Sequence, residues 1–231
     1  MANSAKTQAG GGCLRKLLMM ILLIGGLVLG VALAFVSQAQ NLTDIGGYGA
    51  AAAPARDLKT VLQNAVTRRY AVTLTETELN QWLGRTLVAK QGGCLAGQVT
   101  FERVWVRLED GRAEVVMERK ILGLPFTVSM YLQVEQTEGP KGVFTEVLLH
   151  GGPYFQSNLP LPPRGGRFGQ LVVPQGFLHL VVPAYERLAA LFGDEIHLGI
   201  EEMARVKIER GRLVMDPRSP SEDLPGVPQS F

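Results

Sequence analysis

VTFERVWVRLEDGRAEVVMERK, residues 99–120, decides the fold class. Two runs of alternating bulky apolar and polar residues flank Glu109-Asp110-Gly111-Arg112. Asp-Gly between such runs marks a β-hairpin, because the turn needs positive φ and Gly supplies it without strain. Val99–Leu108 and Ala113–Lys120 are therefore expected to pair antiparallel. Downstream, Gly123 and Pro125 interrupt the chain, and Phe126, Val128, Met130, Leu132 and Val134 then alternate with Thr127, Ser129, Tyr131, Gln133 and Glu135. That alternation predicts a strand with one apolar face. Gly139-Pro140-Lys141-Gly142 turns it, and Val143–His150 returns, which completes a four-stranded antiparallel meander.

Upstream of the meander the period changes from two to that of a helix. Leu58, Val61, Leu62, Ala65 and Val66 share one face, with Lys59, Gln63, Asn64 and Arg68 opposite. A second helix has a complete start signal. Thr75 and Glu78 have the spacing of a capping box, and Leu74 and Leu79 that of a hydrophobic staple. Leu79, Trp82, Leu83 and Leu87 form its apolar side, and Gly92-Gly93 ends it.

Beyond the meander, Gly151–Gly169 carries four prolines and reads as a long loop. Gln175–Phe192 has helical spacing interrupted by Pro183, which predicts a kink or a late helix start. Ile196–Ile200 reads as a strand, and Ala204–Asp216 as a terminal hairpin turning at Arg210-Gly211. The fold class is therefore α+β: one N-terminal transmembrane helix, then a single domain of antiparallel meander sheet packed with two or three helices.

The anchor is Leu17–Val36, a charge-free stretch of Leu, Ile, Met, Val, Ala, Gly and Phe. A helix of that length spans about 30 Å, the thickness of a bilayer's hydrocarbon core. Lys6, Arg15 and Lys16 precede it, and no Lys or Arg follows until Arg56. That asymmetry predicts a cytoplasmic N-terminus and a periplasmic or extracellular domain. A cleaved signal peptide is the rival reading, but its apolar region is usually about 7–15 residues long, shorter than this one. The chain divides into a cytoplasmic N-terminus (1–16), a transmembrane signal-anchor (17–36), a flexible stalk rich in Gly and Ala (37–56), an exported domain (57–216) and a disordered Pro-rich tail (217–231).

The net charge is +2 and the basic residues are scattered, which argues against a nucleic-acid partner. Cys13 and Cys94 flank the apolar segment, so a spanning helix keeps them apart and no intramolecular disulfide is expected. His150, His179 and His197 fall in separate elements without ligand spacing, and no metal or other cofactor is expected. Ser129, Ser157 and Cys94 lack the context of a nucleophile. The acidic pairs Asp194-Glu195 and Glu201-Glu202 read as solvated loop ends, and the expectation is that the protein is not an enzyme. One candidate site remains, an apolar groove lined by Phe126, Val128, Met130, Leu132 and Trp82. The same residues also suit an ordinary core.

The order of elements, with the segment Leu74-Thr75-Glu76-Thr77-Glu78-Leu79-Asn80 and the later Leu159-Pro160-Leu161-Pro162, resembles that of the YpmS-like bacterial membrane-anchored envelope proteins. More loosely it is similar to tubular lipid-binding domains. The resemblance covers about residues 57–216, carries no catalytic signature, and implies lipid as a ligand. The expected function is a single-pass, membrane-tethered cell-envelope domain binding lipid or another apolar envelope component. The alternative is a scaffold or assembly module for a larger envelope protein complex. Its partners would be the membrane bilayer, lipid and other envelope proteins.

Overall fold

The structure is a computed structural model that describes residues 11–49, 56–90, 100–121, 124–139, 142–149 and 164–219. It is α+β. The N-terminal helix α1 (Gly11–Ser37) includes Leu14–Ser37, a run long and apolar enough to cross a membrane, with its side chains uncovered by the domain. The domain then contains α2 (Leu58–Arg68), β1 (Val72–Thr75) and α3 (Glu76–Lys90). The strands β2 (Thr100–Glu109), β3 (Arg112–Ile121), β4 (Leu124–Gly139), β5 (Gly142–Leu149), β6 (Arg164–Phe168) and β7 (Leu171–Pro174) follow. A 3₁₀ turn (Gln175–Leu180), α4 (Val182–Leu191), α5 (Gly193–Ile196), a π-helical turn (His197–Glu201), β8 (Arg205–Glu209) and β9 (Arg212–Asp216) close the fold.

The strands form two antiparallel sheets. Six make one sheet in the order β2-β3-β4-β6-β7, with β5 also on β4, and three make the other in the order β1-β9-β8. The meander β2 to β5 has the connectivity the sequence predicts, and the Asp-Gly turn places Gly111 at φ +78°. β4 is long enough for two partners along one edge. Val128–Met130 pair with β6 and Leu132–Gly139 with β5, so β4 and β5 extend beyond β3 as a two-stranded arm.

The capping box forms as its spacing requires. Glu78 N–H donates to Thr75 Oγ1 at 3.2 Å, and the Glu78 carboxylate accepts from Thr75 N–H at 3.0 Å. These bonds, the Thr75 amide first among them, hold the Glu78 carboxyl below its usual pKa. The helix carries its apolar side into one core, where Trp82, Leu83 and Leu87 meet Leu62 and Ala65 of α2 and Tyr185, Leu188 and Phe192. One face of each sheet closes that core: Val104, Val106, Met117, Val128 and Met130 from the larger, Val72, Val206, Ile208 and Met215 from the smaller.

Four expectations need correction. Gln38–Gly49 is not a flexible stalk: Leu42 and Ile45 are 3% exposed and pack on Trp105 and Val116, on the sheet face opposite the main core. The apolar spacing there is three, and the backbone follows it, Ile45 N–H bonding to Leu42 C=O and Tyr48 N–H to Ile45 C=O, both at 3.1 Å. Arg164–Phe168 is a strand rather than part of a loop, because β4 offers it a free edge, and Leu171–Pro174, to which the sequence assigned no element, is a strand that pairs with it in turn. Ile196–Ile200 is helical: Leu198 and Ile200 pack against the core and Gly199 between them is buried too, which the strict alternation of a strand would not allow. Val72–Thr75, read only as the approach to a helix, is a strand that pairs with β9. Pro183 stands in the first turn of α4, so the helix starts late, where a proline has no amide to lose. Of the tail, only Pro217–Ser219 lies within the described residues.

Candidate functional site

The residues expected to line an apolar groove occupy the core. Val128 and Met130 are 2% and 5% exposed, and Trp82 stacks at a tilt on Phe192 with ring centroids 5.3 Å apart. Phe126 and Leu132 are half-buried against the same cluster. A crevice beside Trp82, lined by Arg56, Leu58, Val61, Leu74, Glu78 and Leu79, measures about 20 Å³. That is room for about one water molecule, far less than an acyl chain needs.

The opposite sheet face carries a buried polar layer that sequence reasoning missed. Glu114 and Ser129 are both 0% exposed, and Ser129 Oγ donates to Glu114 Oε1 at 2.6 Å. Arg107 forms an ion pair with the other oxygen of Glu114 and donates to Asp44 at 2.9 Å. Burial disfavours the Arg107 charge, but Glu114 and Asp44 outweigh it and raise the guanidinium pKa. Arg167 donates to Tyr131 Oη at 3.0 Å, and burial raises the Tyr131 pKa above its ordinary value. The strap Gln38–Gly49 closes over this layer. Gln40 donates from its backbone to Thr127 Oγ1 at 2.9 Å and from its side chain to Ser129 Oγ at 3.3 Å.

Two α3 side chains lock the strap to the edge of β2. Asn80, 2% exposed, exchanges both amide functions with Val106, accepting from its N–H at 2.7 Å and donating to its C=O at 2.8 Å. It also donates to Gly46 C=O at 2.9 Å. Glu76 accepts from Gly46 N–H and Leu108 N–H, each at 2.6 Å. The edge of β2 is thus covered by side chains that satisfy its backbone groups.

Where the two sheets meet, the turns Glu109–Arg112 and Glu209–Arg212 face one another. They share the pattern Glu-x-Gly-Arg, a likeness readable in the sequence. A cavity of about 550 Å³ opens beside them, lined by Asp44, Glu76, Arg107, Asp110, Arg112 and Arg210 among others. The charges there neutralise one another: Arg107 with Asp44, Arg112 with Glu109, Arg210 with Asp110. Among the described residues no group of three His, Cys, Asp or Glu side chains is placed to hold a metal ion. His197 contacts Glu201 at 2.7 Å and Glu202 at 3.3 Å on the π-helical turn, and Asp194 pairs with Lys59 at 2.5 Å. The acidic pairs therefore lie on helical turns, where their charges are partly matched. His179 is exposed on the 3₁₀ turn. Cys94, His150 and Ser157 lie outside the described residues.

The remaining surface of note is β5. Among the described residues it pairs only with β4, and it has neither Pro nor Lys to discourage further pairing. Phe144, Val147 and Leu148 are 51%, 45% and 38% exposed. On the face that carries Phe144 and Leu148, Glu135 lies directly opposite Glu146, both exposed. Like charges opposed across a strand pair are unfavourable, and no ion pair to either forms among the described residues. No protein-family model matches the chain, and no curated protein does.

Proposed function

We propose that the chain is a non-enzymatic docking module, anchored in a membrane by α1 with its domain on the non-cytoplasmic side, that binds an extended segment of an envelope partner along β5. The observation that carries this reading is the edge of β5, with Phe144, Val147 and Leu148 exposed on a strand that, among the described residues, one neighbour alone pairs. A segment added as a further strand gains main-chain hydrogen bonds for affinity and side-chain contacts for specificity. The opposed Glu135 and Glu146 specify the chemistry of that segment, apolar residues with Lys or Arg among them. Of the two functions expected from sequence, this is the scaffold. The lipid reading would require the helices to part from the sheet, because Val128, Met130 and Trp82 are enclosed.

The test is a photo-reactive residue at Phe144 in the full chain, in its own membrane, with a second at Lys207 as control. One discrete protein adduct from position 144, absent at 207 and lost on Glu146→Lys, supports docking at β5. Adducts equal at both positions, or none at 144, would refute it. Stoichiometric lipid retained by the purified, folded protein would favour the lipid reading instead.

A further inference from the structure

Two strand edges meet where the sheets join, and they are satisfied unequally. On β2 the outward-facing residues are Val106 and Leu108, and all four of their main-chain groups are bonded. Val106 exchanges both with Asn80, Leu108 N–H donates to Glu76, and Leu108 C=O accepts from Gly211 N–H. On β8 the corresponding residues are Val206 and Ile208. Val206 N–H donates to Gln136 Oε1 at 2.9 Å, and Ile208 C=O accepts from Gly111 N–H at 2.9 Å. In an antiparallel pair the N–H and C=O of one residue face the same side, so Val206 C=O and Ile208 N–H also face away from β9. Among the described residues neither group has a partner.

A cleft of about 630 Å³ opens along this stretch of β8, lined by Val134, Lys207, Glu209, Arg210, Arg212 and Asp110 among others. The free edge within it is one residue long. At one end the Gln136 carboxamide bonds to Val206 N–H and, at 3.1 Å, to Ala204 C=O, as a main-chain amide of a parallel strand would. At the other end Gly111 closes on Ile208. Between them, one extended residue lying parallel to β8 beside Lys207 would donate its N–H to Val206 C=O and accept from Ile208 N–H. Its carbonyl end would point at Gly111, which leaves no path for a further residue, so that residue is a chain's last. Its carboxylate would meet charge of the right sign, because Lys207, Arg210 and Arg212 line the cleft against Asp110 and Glu209, a surplus of one cation. The Arg210–Asp110 pair is 84% and 69% exposed. Surface pairs of that kind contribute little, so the guanidinium can turn to a ligand at small cost.

We propose that the edge of β8 between Gln136 and Gly111 is a binding site for the free C-terminal carboxylate of a short extended peptide. Ile208 N–H and Arg210 supply charge-assisted bonds to the carboxylate, and Val206 C=O takes the last peptide N–H. The site reads main chain rather than side chain. Lys207 is exposed between the buried Val206 and Ile208, so a side chain opposite it points to solvent. The slot admits only a chain end, whereas β5 receives a passing strand, and the inference does not rest on the β5 reading.

The experiment is fluorescence anisotropy on the full chain in detergent micelles, with three probes built on fluorescein-Gly-Ser-Ala-Ala. They are the free acid, its C-terminal amide, and the acid N-methylated at its last peptide bond. Expected is saturable binding of the free acid, with each modified probe at least tenfold weaker. Lys207→Glu, which reverses the surplus charge of the cleft, should weaken the acid several-fold, and Phe144→Glu should leave it unchanged. Equal binding of the acid and either modified probe means attraction to charge or to dye alone and overturns the inference. So does binding unmoved by Lys207→Glu, or no binding at millimolar concentration. If Lys207→Glu does not fold, the comparison of the three probes decides the question by itself.

Discussion

Gly111 and Gly211 join the two sheets by a reciprocal exchange: Gly111 N–H donates to Ile208 C=O at 2.9 Å, and Gly211 N–H donates to Leu108 C=O at 3.0 Å. Each glycine ends a turn of the same pattern, and both have positive φ, +78° and +73°. Arg210 reinforces the junction through Asp110, by its backbone at 3.0 Å and its side chain at 3.2 Å. Neither glycine has an atom within 4 Å of where a Cβ would stand. Gly111→Ala and Gly211→Ala should therefore each cost only the left-handed backbone penalty, about 1–2 kcal/mol. Thermal unfolding of the single and double variants checks this, and the double should depart from additivity because both act on one junction.

Glu114 should be among the least replaceable polar residues. Glu114→Gln turns an amide donor toward Arg107 or takes the acceptor from Ser129. Breaking one side of a buried ion pair costs about 3–5 kcal/mol. Denaturant titration should show that loss, and Glu114→Leu combined with Arg107→Met should cost less than Glu114→Leu alone.

Asn80→Ala should release the strap and not only weaken α3. It leaves Val106 N–H and C=O and Gly46 C=O without their partner, at a cost of about 1–3 kcal/mol for each buried group left unsatisfied. Amide hydrogen exchange at Ile45 and Tyr48 should accelerate more than at Met117, at the centre of β3. Equal acceleration throughout would mean that the strap is not a separable element.

Two titrations should act in opposite directions. Burial disfavours the Asp216 carboxylate, but bonds from the Arg218 side chain and amide and the charge of Arg205 outweigh it and depress its pKa. Its contribution is complete above the unfolded value of about 3.9 and is lost as pH falls through the lower folded value. Asp216→Asn should remove that part of the acid limb of stability. His197 is raised instead, first by its bond to Glu201. Its contribution is present below the unfolded value of about 6.5 and disappears as pH rises through the folded one. An NMR titration should place His197 above the ordinary imidazole value, and Glu201→Gln should lower it.

Phe144→Glu should leave the fold alone and abolish docking. The side chain is 51% exposed on an edge strand, where substitutions usually change stability by less than about 0.5 kcal/mol. Circular dichroism and partner crosslinking, measured on the same variant, separate the two effects.

Local signals were legible and distant ones were not. Thr75 and Glu78 announce α3 because the capping box is complete within four residues, and Asp110-Gly111 announces its hairpin for the same reason. β6 and β7 are short and glycine- or valine-rich, and only the edge of β4 opposite β3, left open because β5 pairs from Leu132 onward, gives β6 its place and, through β6, β7. The strap was misread because its glycines and alanines suit a linker, whereas the Leu42, Ile45, Tyr48 spacing of three matches neither helix nor strand. Glu114 carries no local signal that sets it apart from Glu118, Arg119 and Lys120 of the same strand. Its burial depends on Arg107 across the hairpin and on a strap some seventy residues upstream. The candidate groove residues showed where apolar side chains gather, but alternation alone does not tell a core from a cleft.

The seam between strap and sheet also orders events during synthesis. Gln40 reaches its partner Thr127 across 87 residues, and Phe35 C=O at the end of α1 waits for Gln170 N–H, later still. Contacts between distant segments form late, because closing a long loop costs entropy before it returns any contact. The helix nearest the ribosome's first product is therefore the last to be fastened. Until the ribosome has passed the β6–β7 turn, Gln38–Gly49 is an open cleavage site, and a chain arrested before that point should be clipped there by added protease.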